Sequence, residues 1–112
     1  MENLIEVRHY LIRGGKDVFD DWLSQLVDPR AQAKIASRIN RLAAGNFGDC
    51  KPLGHGLCEL RIDWGPGYRV YYAMLGTACV LLLCGGDKRK QSSDIDRALR
   101  LFNDYRERTG SP

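Results

Sequence analysis

The fold is decided by residues 58–72, which read CELRIDWGPGYRVYY. Apolar and polar residues alternate on both sides of a central turn, and this alternation is typical of two half-buried β-strands. The turn, residues 64–67, contains two glycines and a proline, which favours a tight reversal of the chain. A hairpin folded about Gly65 has one uniformly apolar face, on which the predicted pairs are Ile62 with Tyr68, Leu60 with Val70, and Cys58 with Tyr72.

The opposite face of this hairpin places Arg61 directly across from Arg69, and Glu59 across from Tyr71. Like charges in such positions destabilise a sheet, so the stability of the fold alone does not select this pair. Two neighbouring guanidinium groups are suited to binding an anion, and phosphate is the obvious candidate. The alternative is structural: Arg69 pairs with Glu59 or Asp63 on the same face, as a weak exposed ion pair.

The composition is that of a single mildly basic globular domain, residues 1–112. The chain is 44% hydrophobic and 28% charged, and its formal net charge is +3, which is compatible with nucleic acid or another acidic surface. It begins with the acidic stretch Met1-Glu2-Asn3, and its longest apolar run, residues 78–84, is far below the ~20 residues that span a bilayer. We therefore expect no signal peptide, no membrane segment and a cytoplasmic location.

The four cysteines form neither a CxxC pair nor a zinc-like pattern of ligands. Cys58, Cys79 and Cys84 lie in strand-like apolar surroundings and are predicted to be small, reduced core residues. A catalytic pair of a cysteine with His55 has no supporting motif and is not adopted. We expect neither a metal nor a cofactor.

The order of predicted elements is strand, helix, helix, strand, strand, strand, helix, which indicates an α+β domain with a four-stranded, largely antiparallel sheet. Asp28 followed by Pro29 is typical of the start of a helix, and Ser93 is predicted to cap the last helix. The predicted bounds are a strand at 4–10, helices at 17–27 and 28–44, a loop at 47–56, the hairpin, a strand buried on both faces at 77–84, a turn at 85–90, and a final helix that ends at 109–110.

Several cationic residues are expected to meet at the turn end of the sheet. A cluster of cations with few carboxylates suits a phosphodiester backbone, and in a water-poor groove it could stabilise the negative charge that develops in phosphoryl transfer. The residues concerned are Arg61, Arg69, Lys88, Arg89 and Lys90, together with Lys51 and His55 in the preceding loop; Lys51, Arg89 and Lys90 are assigned to RNA binding.

Each of these features has a simpler interpretation. Residues 88–90 could form a solvated turn, and His55 could be an ordinary loop residue and not a general base. The basic stripe of Lys34, Arg38 and Arg41 is most simply the solvated face of an amphipathic helix. Aromatic residues near the hairpin could stack on exposed bases, although most are expected in the core: Trp64, Tyr68, Tyr71 and Tyr72.

Residues 53–63 and 65–72, LGHGLCELRID and GPGYRVYY, closely resemble the core of the RelE/ParE toxin superfamily. The later block LCGGDK at 83–88, followed by Gln91 and by DI and RA at 94–95 and 97–98, resembles its HigB-type, phage-derived branch, the addiction module killer proteins. The resemblance spans essentially the whole chain. It implies the toxin of a type II toxin–antitoxin pair, many of whose relatives cleave messenger RNA in the ribosomal A site.

The resemblance also implies roles for individual residues. By position, Arg69 matches the arginine that steadies the scissile phosphate, Arg61 matches a basic strand residue, and Lys88 matches a basic residue just after the last strand. The implied chemistry is attack of a 2′-hydroxyl on the adjacent phosphate with expulsion of the 5′-oxygen, without a metal.

Two positions depart from the pattern of these toxins. Glu59 stands where RelE-like nucleases tend to carry a lysine, and the last helix has Asp94 or Ile95 where a tyrosine is expected. The general acid and base are therefore open, with His55 and Tyr71 as candidates.

Three functions remain open from the sequence. The leading one is a ribosome-dependent endoribonuclease; the second is a ParE-like toxin that poisons DNA gyrase without nuclease activity; the third is a nucleic-acid-binding or interaction module. Either toxin implies a helix-turn-helix antitoxin as partner, with operator DNA bound only through that antitoxin. The nuclease implies the ribosome and messenger RNA as further partners.

Overall fold

The computed structural model describes residues 4–110, which form one five-stranded sheet and three α-helices. Residues 1–3, on which part of the expectation of no signal peptide depends, lie outside this range. The sheet has the order β1-β5-β4-β3-β2, with β1 parallel to β5 and every other pairing antiparallel. The elements are β1 (Glu6–His9), α1 (Val18–Gln25), α2 (Pro29–Ala43), β2 (Cys50–Gly54), β3 (Leu57–Ile62), β4 (Tyr68–Met74), β5 (Cys79–Asp87), a 3₁₀ turn (Lys88–Lys90) and α3 (Gln91–Thr109).

The hairpin of β3 and β4 has the predicted register. Arg61 pairs with Arg69, and the neighbouring pairs follow the alternation, with Leu60 opposite Val70 and Glu59 opposite Tyr71. The predicted apolar face is confirmed because its side chains are buried under α1 and α2 in one cluster, which removes their apolar surface from water. The members of this cluster include Phe19, Ile35, Leu42, Leu60, Ile62, Val70, Tyr72, Val80 and Leu82.

The sequence suggested that the face of the sheet carrying the arginines is exposed to solvent. The structure shows that this second face is largely covered. Helix α3 covers much of it, and Ala98 and Phe102 pack there against Tyr71, Ala73 and Leu83. The sequence concealed this layer because only part of the covered face is apolar: its remainder, at the turn end of the hairpin, consists of charged side chains. Tyr71, predicted to share a face with Arg61, is in consequence completely buried.

The four-stranded prediction is wrong by one strand. Residues 50–54, predicted as part of a loop, form β2 and pair antiparallel with β3. Pro52 and Gly54 weaken the sequence signal of a strand, yet proline is tolerated at the edge of a sheet, and β2 is an edge strand. The pairing matters for the site because Lys51 then lies directly opposite Glu59.

The bounds near the last helix also differ from the prediction. Strand β5 continues through Gly85 and Gly86 to Asp87, where a turn was expected, and α3 begins at Gln91 rather than after Ser93. Ser93 is not the cap: its hydroxyl donates to the carbonyl of Lys90 at 3.1 Å. At the other end of the chain, α1 stops at Gln25, two residues before the predicted end.

The two glycines of β5 are required by close contacts on opposite faces of the sheet. A Cβ atom on Gly85 would overlap the indole ring of Trp22, and one on Gly86 would overlap the carboxylate of Asp94. An irregularity in the pairing next to Tyr71 and Tyr72 shifts the alternation of β5, as bulges do. The double glycine therefore marks tight packing of α1 and α3 on the strand and not a turn.

We expect Gly85→Ala to destabilise the protein by about 3 kcal/mol, the upper end for overpacking, because a rigid ring occupies the space. Urea denaturation measures this loss. The matched background is Trp22→Ala, in which the added methyl group finds room, so the two substitutions should be strongly non-additive. Additive losses would show that the ring does not restrict this position.

Among residues 4–110, no helix combines the length and the apolar character that crossing a membrane requires.

Candidate active site

An open cleft of about 300 Å³ lies at the turn end of the hairpin, and three cationic side chains line it. Arg61 and Arg69 come from the paired strands, and Lys88 comes from the 3₁₀ turn that follows β5. The backbone N–H of Lys88 donates to the carbonyl of Gly67 at 2.8 Å, which holds the two turns together. We call this feature the arginine cleft; its lining is Asp49, Arg61, Asp63, Gly65, Pro66, Gly67, Arg69 and Lys88.

A fully buried carboxylate, that of Glu59, lies between the two arginines. Its Oε1 accepts a hydrogen bond from Nε of Arg61 at 3.1 Å and lies 3.7 Å from Nε of Arg69. Its Oε2 accepts a bond from Nε2 of Gln91 at 2.7 Å. The carboxylate thus offsets the repulsion of the like-charged pair. Arg69 does lie beside Glu59, as the structural alternative expects, but the pair is buried and not exposed.

The ion pairs with Glu59 do not exclude the arginines from binding an anion. Both guanidinium groups approach the carboxylate through Nε, which leaves the Nη edge of Arg61 available to a ligand. Arg69 uses Nη1 to donate to the carbonyl of Tyr68 at 3.1 Å. The three cations of the cleft are matched in number by Glu59 and the two lining aspartates, so the cleft offers an anion well-placed donors and not an excess of charge.

Three buried polar atoms without a hydrogen-bond partner within residues 4–110 surround this site: Nε of Arg69, the hydroxyl of Tyr71 and Oδ2 of Asp94. Arg69 lies directly opposite Gly86 in the sheet, and the carboxylate of Asp94 occupies the space that a side chain on Gly86 would fill. Unsatisfied buried polar groups are rare in proteins and concentrate where function requires them. Their position next to the arginine cleft supports its choice as the candidate site.

Tyr71 cannot serve the cleft as the general acid or base that its sequence position suggested. Its side chain is completely buried under α3, and burial first, then the charge of Glu59, raises the pKa of its hydroxyl well above the usual value. A hydroxyl held neutral in this way and shielded from solvent does not exchange protons with a bound strand.

His55 lies at the far end of β3 from Arg61. It occupies the turn between β2 and β3, in the left-handed conformation with φ of 55°, and its carbonyl accepts a bond from Arg106 of α3 at 3.0 Å. A strand of this length spans about 20 Å, so the predicted convergence of His55 with the arginines is wrong. Lys51 is exposed on the edge strand, opposite Glu59 but not in the cleft lining.

The remaining predicted cations, Arg89 and Lys90, do not line the cleft. Arg89 forms hydrogen bonds with both carboxylate oxygens of Asp87, at 3.3 and 2.9 Å, and its side chain is 79% exposed. This contact lowers the pKa of Asp87. Lys90 is exposed at the start of α3. Of the three residues 88–90, the structure brings only Lys88 into the cleft.

The basic stripe of α2 is not simply solvated. Arg38 is half-buried and donates to the carbonyl of Arg61, and also to those of Phe47 and Asp49 at 3.3 and 3.2 Å. Lys34 lies over the ring of Trp64, with Nζ 4.4 Å from the ring centroid. Tyr72, one of the aromatic residues considered for stacking on exposed bases, is completely buried and is excluded from that role.

The cysteine thiols and the acidic residues offer no alternative reaction centre in the described part of the chain. Cys84 is buried and Cys58 and Cys79 partly so, and burial raises the pKa of each thiol, in Cys84 to about 12. All four cysteines are unpaired. Residues 4–110 contain no group of three or more His, Cys, Asp or Glu side chains arranged to hold a metal ion.

The model of the family "Phage derived protein Gp49-like (DUF891)" matches residues 21–103. This chain belongs to the Gp49-like family. A Haemophilus influenzae protein, described as "Uncharacterized protein", is 56% identical to it over 80 residues, which is 71% of this chain and 81% of that protein.

The part matched by the Gp49-like model contains the whole arginine cleft, the buried Glu59 and the start of α3. Sequence reasoning missed two contributors to this site, Asp49 in the lining and Gln91 behind Glu59. It named Asp63 only as an ion-pair partner for Arg69, and the structure places Asp63 in the lining. Asp49 and Gln91 reach the site through tertiary contacts, for which the sequence carries no signal.

We expect the stability of this Gp49-like protein to depend on the ionisation of Asp94. Burial raises the pKa of its carboxyl above the ordinary value, although Arg97 and Lys90 oppose the shift. The folded state then binds this proton more tightly than the unfolded chain, so the free energy of unfolding falls as the pH rises through the raised pKa.

The comparison is with Asp94→Asn, which stays neutral at every pH and lacks this fall. Thermal unfolding between about pH 4 and pH 7 should show the midpoint of the wild type decreasing relative to that of the variant. Parallel curves would mean that the carboxyl titrates as it does in the unfolded chain.

Proposed function

We propose that this chain is the toxin of a type II toxin–antitoxin system, of the HigB-type RelE/ParE kind, and that it cleaves messenger RNA on the ribosome. The observation that carries the proposal is the arginine cleft, in which Arg61, Arg69 and Lys88 line one open cavity. The Gp49-like family is associated with addiction-module killer toxins, which supports the toxin assignment.

The reaction we propose is attack of a 2′-oxygen on the adjacent phosphorus. A bond forms between these two atoms, the bond to the 5′-oxygen breaks, and the products are a 2′,3′-cyclic phosphate and a free 5′-hydroxyl. The negative charge on the phosphoryl oxygens grows in the transition state, and guanidinium groups fixed beforehand by Glu59 stabilise it without reorganising. Arg69 and Arg61 have this role.

Proton transfer in this scheme involves groups that line the cleft. The carboxylates of Asp49 and Asp63 are the lining groups able to accept the proton of the 2′-hydroxyl. Arginine does not give up its proton, so Lys88 is the lining cation able to protonate the departing 5′-oxygen. His55 and Tyr71 have no part in this step.

The size of the cleft supports dependence on the ribosome. A cavity of about 300 Å³ is at the lower end of small-ligand sites, and it accommodates a phosphate and its sugar but offers little surface to read bases. Such a site needs a second body to fix the strand, and the ribosome is the body that holds messenger RNA in a defined position. A cytoplasmic location and a helix-turn-helix antitoxin that carries the pair to operator DNA follow from the same proposal.

The test uses purified protein, programmed ribosomes and a messenger with one 2′-deoxyribose at the mapped cut. We expect cleavage of the normal messenger to give 2′,3′-cyclic phosphate ends, and no cleavage at the substituted position. A supercoiling assay with DNA gyrase is run in parallel. Inhibition of gyrase without any RNA cleavage would favour the second candidate, a ParE-like toxin. That candidate stays open because neither a histidine nor a tyrosine lines the cleft.

A further inference from the structure

A second basic cleft of about 240 Å³ lies next to the arginine cleft, on the α2 side of the hairpin. The two cavities share Asp63 in their linings. Arg38 binds the carbonyls of Arg61 and Asp49, so one side chain ties together the walls of both. We call it the α2 cleft; its lining is Lys34, Ser37, Arg38, Arg41, Ile62 and Asp63.

The positive charge of the α2 cleft is not neutralised by carboxylates. Within residues 4–110, none of its three cations, Lys34, Arg38 and Arg41, forms an ion pair. Arg38 is bound by backbone carbonyls, which orient the guanidinium but leave its net charge in place. Counting Glu59 behind the arginines, the two clefts hold six cations and three carboxylates, and the resulting excess of positive charge lies mainly in the α2 cleft.

We propose that the α2 cleft binds the RNA strand that continues from the phosphate in the arginine cleft. Lys34 and Arg41 are seven residues apart, two helical turns or about 10.5 Å, so they lie on one face of α2 and can contact different phosphates of one strand. Trp64 supports this wall of the cleft, since Nζ of Lys34 lies over its ring. This inference rests on the proposed function, since it extends the path of the same substrate.

The test measures the affinity of 2′-O-methyl oligouridylates of three and nine nucleotides, which cannot be cleaved through the 2′-oxygen. Fluorescence anisotropy at 50 to 300 mM salt is recorded for the wild type, for Lys34→Ala/Arg41→Ala, and for a control, Arg13→Ala/Arg100→Ala. The control removes the same charge from exposed positions outside both clefts.

We expect the α2 double variant to bind the nonamer about tenfold more weakly. The slope of the logarithm of affinity against the logarithm of salt concentration should fall in magnitude by about 1.4, the value for two lost phosphate contacts with a single strand. Binding of the trimer, which fills the arginine cleft alone, should change less than twofold. An equal loss in the control, or an equal loss for the trimer, would overturn the proposal.

The outcomes separate this inference from the proposed function. If the wild type binds neither oligonucleotide, the inference falls, whereas the proposed function is decided separately by cleavage on programmed ribosomes, which hold the strand themselves. If it binds both, and the α2 double variant matches the control, only the path through the α2 cleft is wrong. An α2 double variant whose affinity for the nonamer and whose salt dependence both equal those of the wild type would likewise overturn the inference.

Discussion

Replacement of Arg69 by alanine should reduce the rate of RNA cleavage by at least about 100-fold, the typical effect of removing one preorganised donor from a developing oxyanion. The side chain is only 13% exposed and lies beside the buried Glu59, so its guanidinium is held in place before substrate binds. Single-turnover cleavage on programmed ribosomes measures the rate.

Two further variants separate charge, geometry and folding. Arg69→Lys keeps the charge but lacks the planar fork and the contact through Nε, so we expect it to recover little of the rate. Arg8→Ala removes an exposed arginine paired with Glu6, far from the cleft in sequence, and should cleave at the wild-type rate. Circular dichroism and a thermal midpoint within a few degrees of the wild type must accompany the loss in Arg69→Ala; full activity in that variant would exclude Arg69 from the site.

Replacement of Glu59 by alanine should be the most destabilising single change in the site. It leaves two guanidinium groups without their shared carboxylate, and breaking a buried pair in this way costs about 3–5 kcal/mol. Because Arg61 is 33% exposed and can be rehydrated, we expect the free energy of unfolding to fall by about 3 kcal/mol, the lower end of this range. This corresponds to a fall in the thermal midpoint of about 12 °C.

The matched control for Glu59 is Glu107→Ala, an exposed glutamate of α3, which should change stability by less than about 0.5 kcal/mol. Glu59→Gln keeps the shape and an acceptor oxygen, so its stability should fall between those of the alanine variant and the wild type. In both Glu59 variants the arginines lose their fixed position. The rate of cleavage should therefore fall even at temperatures at which the variants are still folded. Equal stability of Glu59→Ala and Glu107→Ala would show that the arginine pair does not need the carboxylate.

The hairpin could be predicted from the sequence in detail because alternation and turn chemistry are local. The pairing of Arg61 with Arg69 follows from the position of Gly65, and α2 follows from Asp28 and Pro29. Strand β2 could not be predicted, because its residues become a strand only by pairing with β3. The extension of β5 through Gly85 was missed for a similar reason: the contact with Trp22, which excludes a side chain, is tertiary.

The candidate site was predictable only in part. The like-charged pair correctly pointed to an unusual position, yet its structural partner, Glu59, looked like a departure from the RelE-like sequence pattern when considered alone. Its meaning depends on burial by α3 and on Gln91, 32 residues later in the chain. His55 shows the converse case. Its side chain is of a type suited to acid–base chemistry and is near the arginines in sequence, but it lies at the other end of β3.

The most direct test of the arginine cleft as a ribosome-linked nuclease site is primer extension on a translated messenger after induction of wild type, Arg69→Ala and Arg8→Ala in parallel. We predict discrete cuts inside translated codons with the wild type and with Arg8→Ala, and none with Arg69→Ala at equal protein levels. Growth arrest by the wild type without cuts, or the same cuts with Arg69→Ala, would contradict the account.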